Sequence, residues 1–292
     1  MKLVTYELAG AVGLGRIDPQ AGMVYRLSAS EAGFGNDMLA LIRRHATLGA
    51  PLESEASGVA LEKVKLLAPI PRPARNIFCV GKNYNEHAQE FEQSSFGATS
   101  KRGDNILDNP IIFTKAPSTV TAPGGAVPCH GALSAQLDYE AELAVIIGKG
   151  GRAITKARAH DHIFGYTIAN DVTARDLQLK HRQWFIGKSL DGTCPMGPWI
   201  ASADEIDAAD LSIRCWINGE LRQQGNSRDL IFDIATLIET ISAGIGLEPG
   251  DIISTGTPAG VGIGFDPPRF LAPGDVMKIE IDGLGTLQNE IV

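Results

Sequence analysis

The sequence predicts a strand-rich α+β protein with a small N-terminal domain and a larger second domain. Segments with strand character outnumber helical ones, and regular helices do not separate them, which disfavours a doubly wound βαβ sheet. The proline-rich stretch 68–73 cannot continue a helix, and we place the domain boundary there. The prediction is a small α+β domain over residues 1–68 and a larger domain over residues 69–292.

The predicted N-terminal domain contains two strands and one helix. Residues 3–6 and 22–27 are short apolar segments beside glycine turns, as is typical of strands. Residues 36–46 place apolar side chains at helical spacing, and Asn36 or Asp37 can cap the first turn.

The larger domain is predicted to contain several strands and one clear helix. Asn218-Gly219 follows an alternating segment and predicts a hairpin turn. The helix is predicted from about Leu230 to Ala243, because its apolar residues recur every three or four positions. The predicted strands are residues 143–147, 163–169, 211–218 and 277–282, followed by a turn at 283–285 and a last strand.

Charge and hydropathy exclude several classes of protein. The 292 residues carry 26 basic and 34 acidic side chains, a net charge of −8, and the two signs are mixed along the chain. This argues against a nucleic-acid partner, which requires clustered Lys and Arg. No apolar run approaches the roughly 20 residues of a membrane span, and Glu7 stands where a signal peptide would be apolar. We expect neither a membrane partner nor a signal peptide.

The cysteines indicate a reducing compartment. Cys79, Cys129, Cys194 and Cys215 form no Cys-x-x-Cys pair, and a chain of this length needs no disulfide framework. We expect free thiols and a cytoplasmic protein. Cys194 as a nucleophile remains an alternative, but a buried structural thiol is the favoured interpretation.

Three acidic residues suggest a metal site. Glu140 and Glu142 are two positions apart on a predicted strand, so their carboxylates lie on one face. An isolated Glu-x-Glu is usually a solvated strand end, but this strand continues into an apolar run, where a divalent cation would relieve the repulsion. Asp171 ends another apolar strand; its alternative role is to cap the segment 173–180. Three carboxylates are a hard oxygen site that suits Mg²⁺ or Mn²⁺.

His87 and Glu90 form a candidate general base. On a helical turn, residues three positions apart are neighbours, and a carboxylate bonded to one imidazole nitrogen raises the basicity of the other. The alternative is a solvated helix start with an incidental ion pair. The polar segment 91–104 that follows lacks periodicity and is predicted to be a mobile loop or lid.

Two further features suggest the binding of an anion. The glycine-rich segment 250–264 could hold one on its backbone amides, although its alternative is a run of structural turns. It lacks the P-loop pattern and matches the dinucleotide fingerprint poorly, so nucleotide binding is not expected. Each of four other polar residues is more often a surface residue, but together they suit a substrate with carboxylate and keto oxygens. They are Lys115, Arg175, Gln178 and Lys188.

The order of the motifs from about Pro69 to the C-terminus resembles the fumarylacetoacetate hydrolase family. The resemblance implies a mixed β-sandwich roll as the catalytic fold and a homodimer. The motifs are Gly81-Lys82-Asn83-Tyr84 with His87, residues 110–118 with 122–124, Asp138-Tyr139-Glu140-Ala141-Glu142, Asn170 to Asp176, Gly187-Lys188-Ser189, Pro195-x-Gly197-Pro198 and Gly256-Thr257-Pro258.

The same resemblance implies roles for individual residues. Glu140, Glu142 and Asp171 would bind Mg²⁺ or Mn²⁺. His87 and Glu90 would activate water in a lid that orders over substrate, with Lys188 also in the catalytic set. Contacts with the substrate would come from Arg175, Gln178, Lys188 and Thr257, and we add Lys115 to these.

The expected activity is metal-dependent hydrolysis of a C–C bond in a 1,3-diketo acid, such as an acylpyruvate or fumarylpyruvate. The substrate would be a small 2-oxo acid. Hydrolysis would pass through an enolate of the 2-oxo acid, stabilised by the metal. Two alternatives would use the same enolate: decarboxylation of oxaloacetate and isomerisation of 2-hydroxyhepta-2,4-diene-1,7-dioate. A ureidoglycolate lyase and a metal-dependent binding protein are further alternatives, because fold alone does not decide the reaction.

Overall fold

The computed structural model describes residues 1–27, 35–49, 52–94 and 108–292. Its α-helices are α1 (Met38–Leu48), α2 (Asn85–Gln93), α3 (Arg175–Lys180), α4 (Phe185–Lys188) and α5 (Ile234–Gly244). Its strands are β1 (Lys2–Leu8), β2 (Ala11–Asp18), β3 (Met23–Leu27), β4 (Ser54–Ala60), β5 (Lys65–Leu66), β6 (Ile77–Gly81), β7 (Ile111–Lys115), β8 (Val120–Thr121), β9 (Ala126–Val127), β10 (Leu137–Asp138), β11 (Ala141–Ile147), β12 (Ile163–Asn170), β13 (Thr173–Ala174), β14 (Cys194–Ser202), β15 (Ser212–Ile217), β16 (Glu220–Asn226), β17 (Ile252–Ser254), β18 (Val276–Ile281) and β19 (Gly285–Ile291).

The strands form one large mixed sheet, a smaller sheet and a short two-stranded ladder. The large sheet has the order β4-β3-β2-β1-β14-β12-β11-β17-β6-β7, with β5 beside β1 and β8 beside β14. The smaller sheet has the order β16-β15-β18-β19-β9, and β10 pairs with β13. Most pairs are antiparallel, whereas β6–β17, β8–β14 and β9–β19 are parallel. The predicted strand-rich α+β class is confirmed.

The N-terminal strands continue the large sheet. Strand β1 pairs antiparallel with β14, with Leu3 opposite Ile200. The Thr5 hydroxyl donates a hydrogen bond to the Pro69 carbonyl across the proposed boundary. Helix α1 begins after Asp37, whose carboxylate accepts from the Leu39 amide at 3.0 Å, as the capping signal predicts. The division at residues 68 and 69 stays a prediction.

Strand β11 lies between two hydrophobic cores, and all seven of its residues are buried. Leu143 and Val145 belong to a core that includes the inward side chains of the smaller sheet. Ala144 and Ile146 belong to a second core with apolar residues of α1. Because side chains alternate along a strand, this burial on both faces explains the unbroken apolar run. It also leaves the N-terminal end of β11 as the place where polar groups can collect.

Two predictions for the larger domain, the hairpin at Asn218-Gly219 and the long helix, can be compared with the structure. Ile217 and Glu220 pair across Asn218-Gly219, and both turn residues have positive φ angles, so the hairpin is confirmed. The predicted start of the helix at Leu230 was wrong, because α5 begins at Ile234. The segment before it is held by Asn83, which accepts from the Phe232 amide at 2.8 Å.

Asp233 caps α5, and its carboxylate accepts from the Thr236 amide at 2.8 Å. None of the helices in the described ranges combines the length and apolar character needed to cross a bilayer.

All four cysteines are free thiols. Burial raises the pKa of the Cys194 thiol to about 12, which argues against the alternative of a catalytic nucleophile.

Gly165 allows β12 and β14 to approach closely, and its replacement tests the pairing of these two strands. A Cβ at this position would lie 2.2 Å from the Ala201 carbonyl oxygen, which is backbone and cannot turn away. We expect Gly165→Ala to lower the free energy of unfolding by about 1–3 kcal/mol or more, measured by urea denaturation. Gly244→Ala is the control, because nothing lies within 4 Å of that Cβ; equal stability of the two variants would contradict the register.

Candidate active site

The three predicted metal ligands come together at the N-terminal end of β11. Antiparallel pairing sets Ala141 opposite Asn170, and the Asp171 amide donates to the Glu140 carbonyl at 2.9 Å. One carboxylate oxygen from each of Glu140, Glu142 and Asp171 lies within 4.8 Å of the others, and all three side chains are buried. The register of two strands therefore joins carboxylates that are about 30 residues apart in sequence.

Three cations surround this cluster. Lys188 Nζ donates to Glu140 Oε2 at 2.6 Å and to Asp171 Oδ2 at 2.8 Å. Arg175 Nη1 lies 2.7 Å from Glu140 Oε1, and Lys115 Nζ lies 2.8 Å from Asp171 Oδ1. Burial alone would raise the pKa of Glu140, but Lys188 and Arg175 outweigh it and lower that pKa to about 2. Glu140 is therefore ionised.

Glu142 lies in a different electrostatic environment. Its Oε2 accepts hydrogen bonds from the Ser254 hydroxyl and, at 3.1 Å, from the Gly256 amide. Burial raises the pKa of Glu142 well above its ordinary value, and the negative charges of Asp171 and Glu140 raise it further. The nearby cations do not compensate for the negative charge here.

The donor set fits a hard divalent cation. Asp171 Oδ1 is buried and makes no hydrogen bond, although it forms an ion pair with the Lys115 ammonium at 2.8 Å. A buried carboxylate oxygen without a hydrogen bond and a neighbouring carboxyl with a raised pKa are both stabilised by added positive charge. The ligand atoms are all oxygens, which is the preference of Mg²⁺ and Mn²⁺.

Asp138 is a part of the site that sequence reasoning did not single out. Its carboxylate accepts from Arg175 Nε at 2.9 Å, from the Gly262 amide at 2.6 Å and from the Ile263 amide at 3.1 Å. Arg175 thus bridges Asp138 and Glu140 and is fully buried. The available signal was the period of two, which puts Asp138 in line with Glu140 and Glu142.

The histidine and its carboxylate neighbour pair as the i, i+3 spacing predicts. His87 Nδ1 lies 3.1 Å from Glu90 Oε2 on α2, and the histidine is buried. Glu90 Oε1 accepts from the Gly260 amide at 2.9 Å. A Cβ at Gly264 would lie 1.8 Å from the same oxygen, so glycine there makes room for the carboxylate. Glu90 is thus held by His87 on one side and by the Gly260 amide on the other. The ring nitrogen of His87 that does not contact Glu90 is Nε2.

The glycine-rich segment binds carboxylates of the protein itself. The Gly256 amide donates to Glu142, the Gly260 amide to Glu90 and the Gly262 amide to Asp138. The sequence predicted that these amides could hold an anion, and in the structure the anions are three side chains of the same chain. The loop thereby connects the His87–Glu90 pair to the acidic cluster.

A small cleft opens over these groups. Thr257 and Gln178 line it, but both are already hydrogen-bonded: the Thr257 hydroxyl donates to the Ala141 carbonyl, and Gln178 Oε1 accepts from Arg175. Lys115 instead contacts Asp171 and the Val172 carbonyl. The walls of the cleft also include Gly81, Lys82, His87, Phe91, Phe113, Glu140, Glu142, Arg175, Trp184 and Lys188.

Two expectations about neighbouring segments need correction. Asp171 does not cap the following helix: α3 starts at Arg175 after Ala174, without a side-chain cap. The segment after Glu90 does not begin as a loop, because α2 continues to Gln93. Residues 95–104 of the predicted lid lie outside the described residues.

Comparisons with known proteins agree with this architecture. The family model described as fumarylacetoacetate (FAA) hydrolase C-terminal matches residues 76–292. Oxaloacetate tautomerase YisK of Bacillus subtilis (strain 168) is 54% identical over 233 residues, which cover 80% of this chain and 74% of that protein.

Two solved structures extend the similarity to the whole chain. The fumarylacetoacetate hydrolase EaFAH of Exiguobacterium antarcticum is 42% identical with a TM-score of 0.85, covering 100% of this chain and 99% of that one. The maleylpyruvate hydrolase of Sphingobium sp. SYK-6, solved with manganese(II) and pyruvate, is 29% identical with a TM-score of 0.76 and the same coverage. The matched family model and these similarities show that the chain belongs to the fumarylacetoacetate hydrolase family.

Proposed function

We propose that this protein is a divalent-metal-dependent enzyme that interconverts the keto and enol forms of a small 2-oxo acid such as oxaloacetate. The observation that carries the proposal is the buried Glu140–Glu142–Asp171 cluster, of which Glu140 and Glu142 line the same cleft as His87. The 54% identity to an oxaloacetate tautomerase supports this reaction over the others that the sequence left open.

In this proposal Glu140, Glu142 and Asp171 hold the cation, which we take to be Mg²⁺ or Mn²⁺. Once bound, the cation would supply Lewis acidity at the carboxylate and keto oxygens of the 2-oxo acid. The structurally similar maleylpyruvate hydrolase, solved with manganese(II) and pyruvate, supports both the class of metal and the class of ligand.

His87 is proposed to move the proton at C3 of the substrate. Its Nδ1 is bonded to Glu90, which fixes the tautomer and leaves Nε2 for proton transfer. When C3 loses its proton, negative charge develops on the keto oxygen. Lys188 and Arg175 line the cleft as buried cations and would stabilise that charge. Protonation of that oxygen by solvent gives the enol; in the reverse direction the oxygen loses this proton and C3 regains one, which restores the keto form.

A second candidate is hydrolysis of the C–C bond in a 1,3-diketo acid, as the sequence suggested. The orientation of His87 by Glu90 favours it, because the same basic nitrogen could take a proton from water. The maleylpyruvate hydrolase among the similar structures supports it as well.

Proton exchange in D₂O separates the two candidates. We expect the metal-loaded protein to accelerate replacement of the C3 protons of oxaloacetate by deuterium, followed by ¹H NMR, and EDTA to abolish the effect. Acetylpyruvate and fumarylpyruvate are offered in parallel. Release of pyruvate and the matching acid from these, without exchange on oxaloacetate, would contradict tautomerisation and support the hydrolase.

Removal of one metal ligand should abolish the response to metal without unfolding the protein. Glu142 has a raised pKa and accepts two hydrogen bonds, so Glu142→Gln resembles its protonated state. We expect Glu142→Gln to have the same Tm as the metal-free wild type and to show no rise in Tm when Mn²⁺ is added. Its kcat/KM should fall about 100-fold or more. The control is Glu62→Gln on an exposed turn; an intact Mn²⁺ response in Glu142→Gln would contradict the ligand assignment.

Gly264 tests the positioning of Glu90. In Gly264→Ala the three atoms nearest to the new Cβ all belong to the end of the Glu90 side chain, which would have to swing away. We expect kcat to fall about 10–100-fold, because the orientation of His87 is lost, while KM and thermal stability change little. Glu90→Gln should give a similar loss. A Gly264→Ala enzyme with wild-type kcat would show that the contact between Glu90 and the loop is not needed.

A further inference from the structure

Trp184 belongs to the wall of the cleft, and the proposed chemistry gives it no role. It stands directly before α4 and lines the cleft together with Gly81 of β6 and Phe113 of β7. Its side chain is partly buried, whereas Phe185, the next residue, is 42% exposed and lies outside the cleft lining. The same turn therefore directs one aromatic ring to the cleft and the next one to solvent.

The indole of Trp184 is held in place by the sheet behind it. A Cβ at Gly81 would lie 2.4 Å from Cζ3 and 2.9 Å from Cη2 of Trp184, so the six-membered ring rests on the backbone of β6. The Phe113 ring meets the indole edge-on, with ring centres 5.2 Å apart and 71° between the planes, which is a favourable aromatic geometry. Because β6 and β7 are paired, these two contacts together prevent the indole from moving toward the sheet.

The indole lies close to the charged part of the site. The Lys188 amide, one helical turn later on α4, donates to the Trp184 carbonyl at 3.0 Å. The Lys188 ammonium is bonded to Glu140 and Asp171. The same ammonium lies 5.0 Å from the centre of the Phe113 ring. Phe113 thus contacts both the indole and a cation of the acidic cluster, so a ligand bound at this cluster would have the aromatic wall beside it.

We propose that Trp184 is a specificity-determining residue that limits the size of the group at C3 of the 2-oxo acid. A group as compact as a methyl or a carboxylate would fit beside the indole, whereas a phenyl group would collide with it. Rejection by collision is effective here because the ring is packed against the sheet and cannot give way toward it. This inference rests on the proposed function, since it takes the keto acid to be held at the acidic cluster with C3 near His87.

Three monoacids that differ only in the group on C3 test the limit in the complete, Mn²⁺-loaded protein. Pyruvate, 2-oxobutanoate and phenylpyruvate carry hydrogen, methyl and phenyl there. Each acid is equilibrated in the buffer beforehand, and its affinity is measured by isothermal titration calorimetry. We expect wild type to bind 2-oxobutanoate at least about tenfold more tightly than phenylpyruvate.

Truncation of the indole should remove this limit. We expect Trp184→Ala to bind phenylpyruvate about tenfold more tightly than wild type does, because the phenyl group takes the place of the indole. Its affinity for pyruvate should stay within about threefold of wild type, since pyruvate has no group on C3 to bury there.

Gly81 supplies an independent variant that leaves the indole intact. In Gly81→Ala the new methyl group would displace the indole toward the cleft, while the next nearest atom, Cγ2 of Ile111, lies at an ordinary 3.6 Å. We expect Gly81→Ala to weaken the binding of 2-oxobutanoate about tenfold. In the double variant with Trp184→Ala this loss should disappear, because the collision has been removed.

Controls separate the cleft wall, folding and the proposed function. Phe185→Ala removes the neighbouring ring outside the cleft and should bind all three acids as wild type does. Equal affinity of wild type for 2-oxobutanoate and phenylpyruvate would overturn the role of Trp184 and leave the proposed function intact. An unchanged ratio in Trp184→Ala, or in Trp184→Leu where the alanine variant unfolds, would do the same. Failure of the Mn²⁺-loaded wild type to bind any of the three acids would overturn both.

Discussion

The burial of negative charge at the start of β11 is the constraint on which the rest of the site depends. Carboxylates removed from water are stable only when hydrogen bonds or cations replace the lost solvation. Arg175 and Lys188 are consequently buried with them and bonded to Glu140. The neighbouring Glu142 has backbone and hydroxyl donors instead, and its raised pKa shows that the compensation is incomplete. A site with this residual negative charge is suited to binding a cation.

The glycine-rich segment is best understood from the same constraint. Backbone amides can approach a buried carboxylate closely only where no side chain intervenes. A Cβ at Gly262 would lie 2.7 Å from Asp138 Oδ1, and one at Gly264 would lie 1.8 Å from Glu90 Oε1. The glycines thus allow one loop to bind both carboxylates, so the orientation of the His87–Glu90 pair and that of Arg175 depend on a single segment. A shift of this loop would disturb proton transfer and cation binding together.

Local periodicity predicted the parts of the molecule that depend on local geometry. The alternation along β11 predicted that Glu140 and Glu142 share a face, and the i, i+3 spacing predicted the contact between His87 and Glu90. Contacts between distant residues were not accessible in this way. Asn83 binds the segment before α5 through Phe232, which is 149 residues away, and Arg175 reaches Asp138, 37 residues away, through the pairing of β10 with β13. No pattern within one segment encodes such pairings.

The distribution of the site over two parts of the fold explains how one acidic cluster can serve several reactions. The carboxylates lie on or beside β11 and β12, in the middle of the large sheet, where both faces are packed and substitutions would disturb the cores. His87 and Phe91 lie on α2. This helix follows β6, the second strand from one edge of the large sheet, and packs against the glycine-rich loop. Residues on α2 can change with less disturbance of the cores than residues of the sheet. In the proposed function the cluster would hold the cation and the 2-oxo acid, and the His87–Glu90 pair on α2 would decide whether the proton is taken from the substrate or from a water molecule.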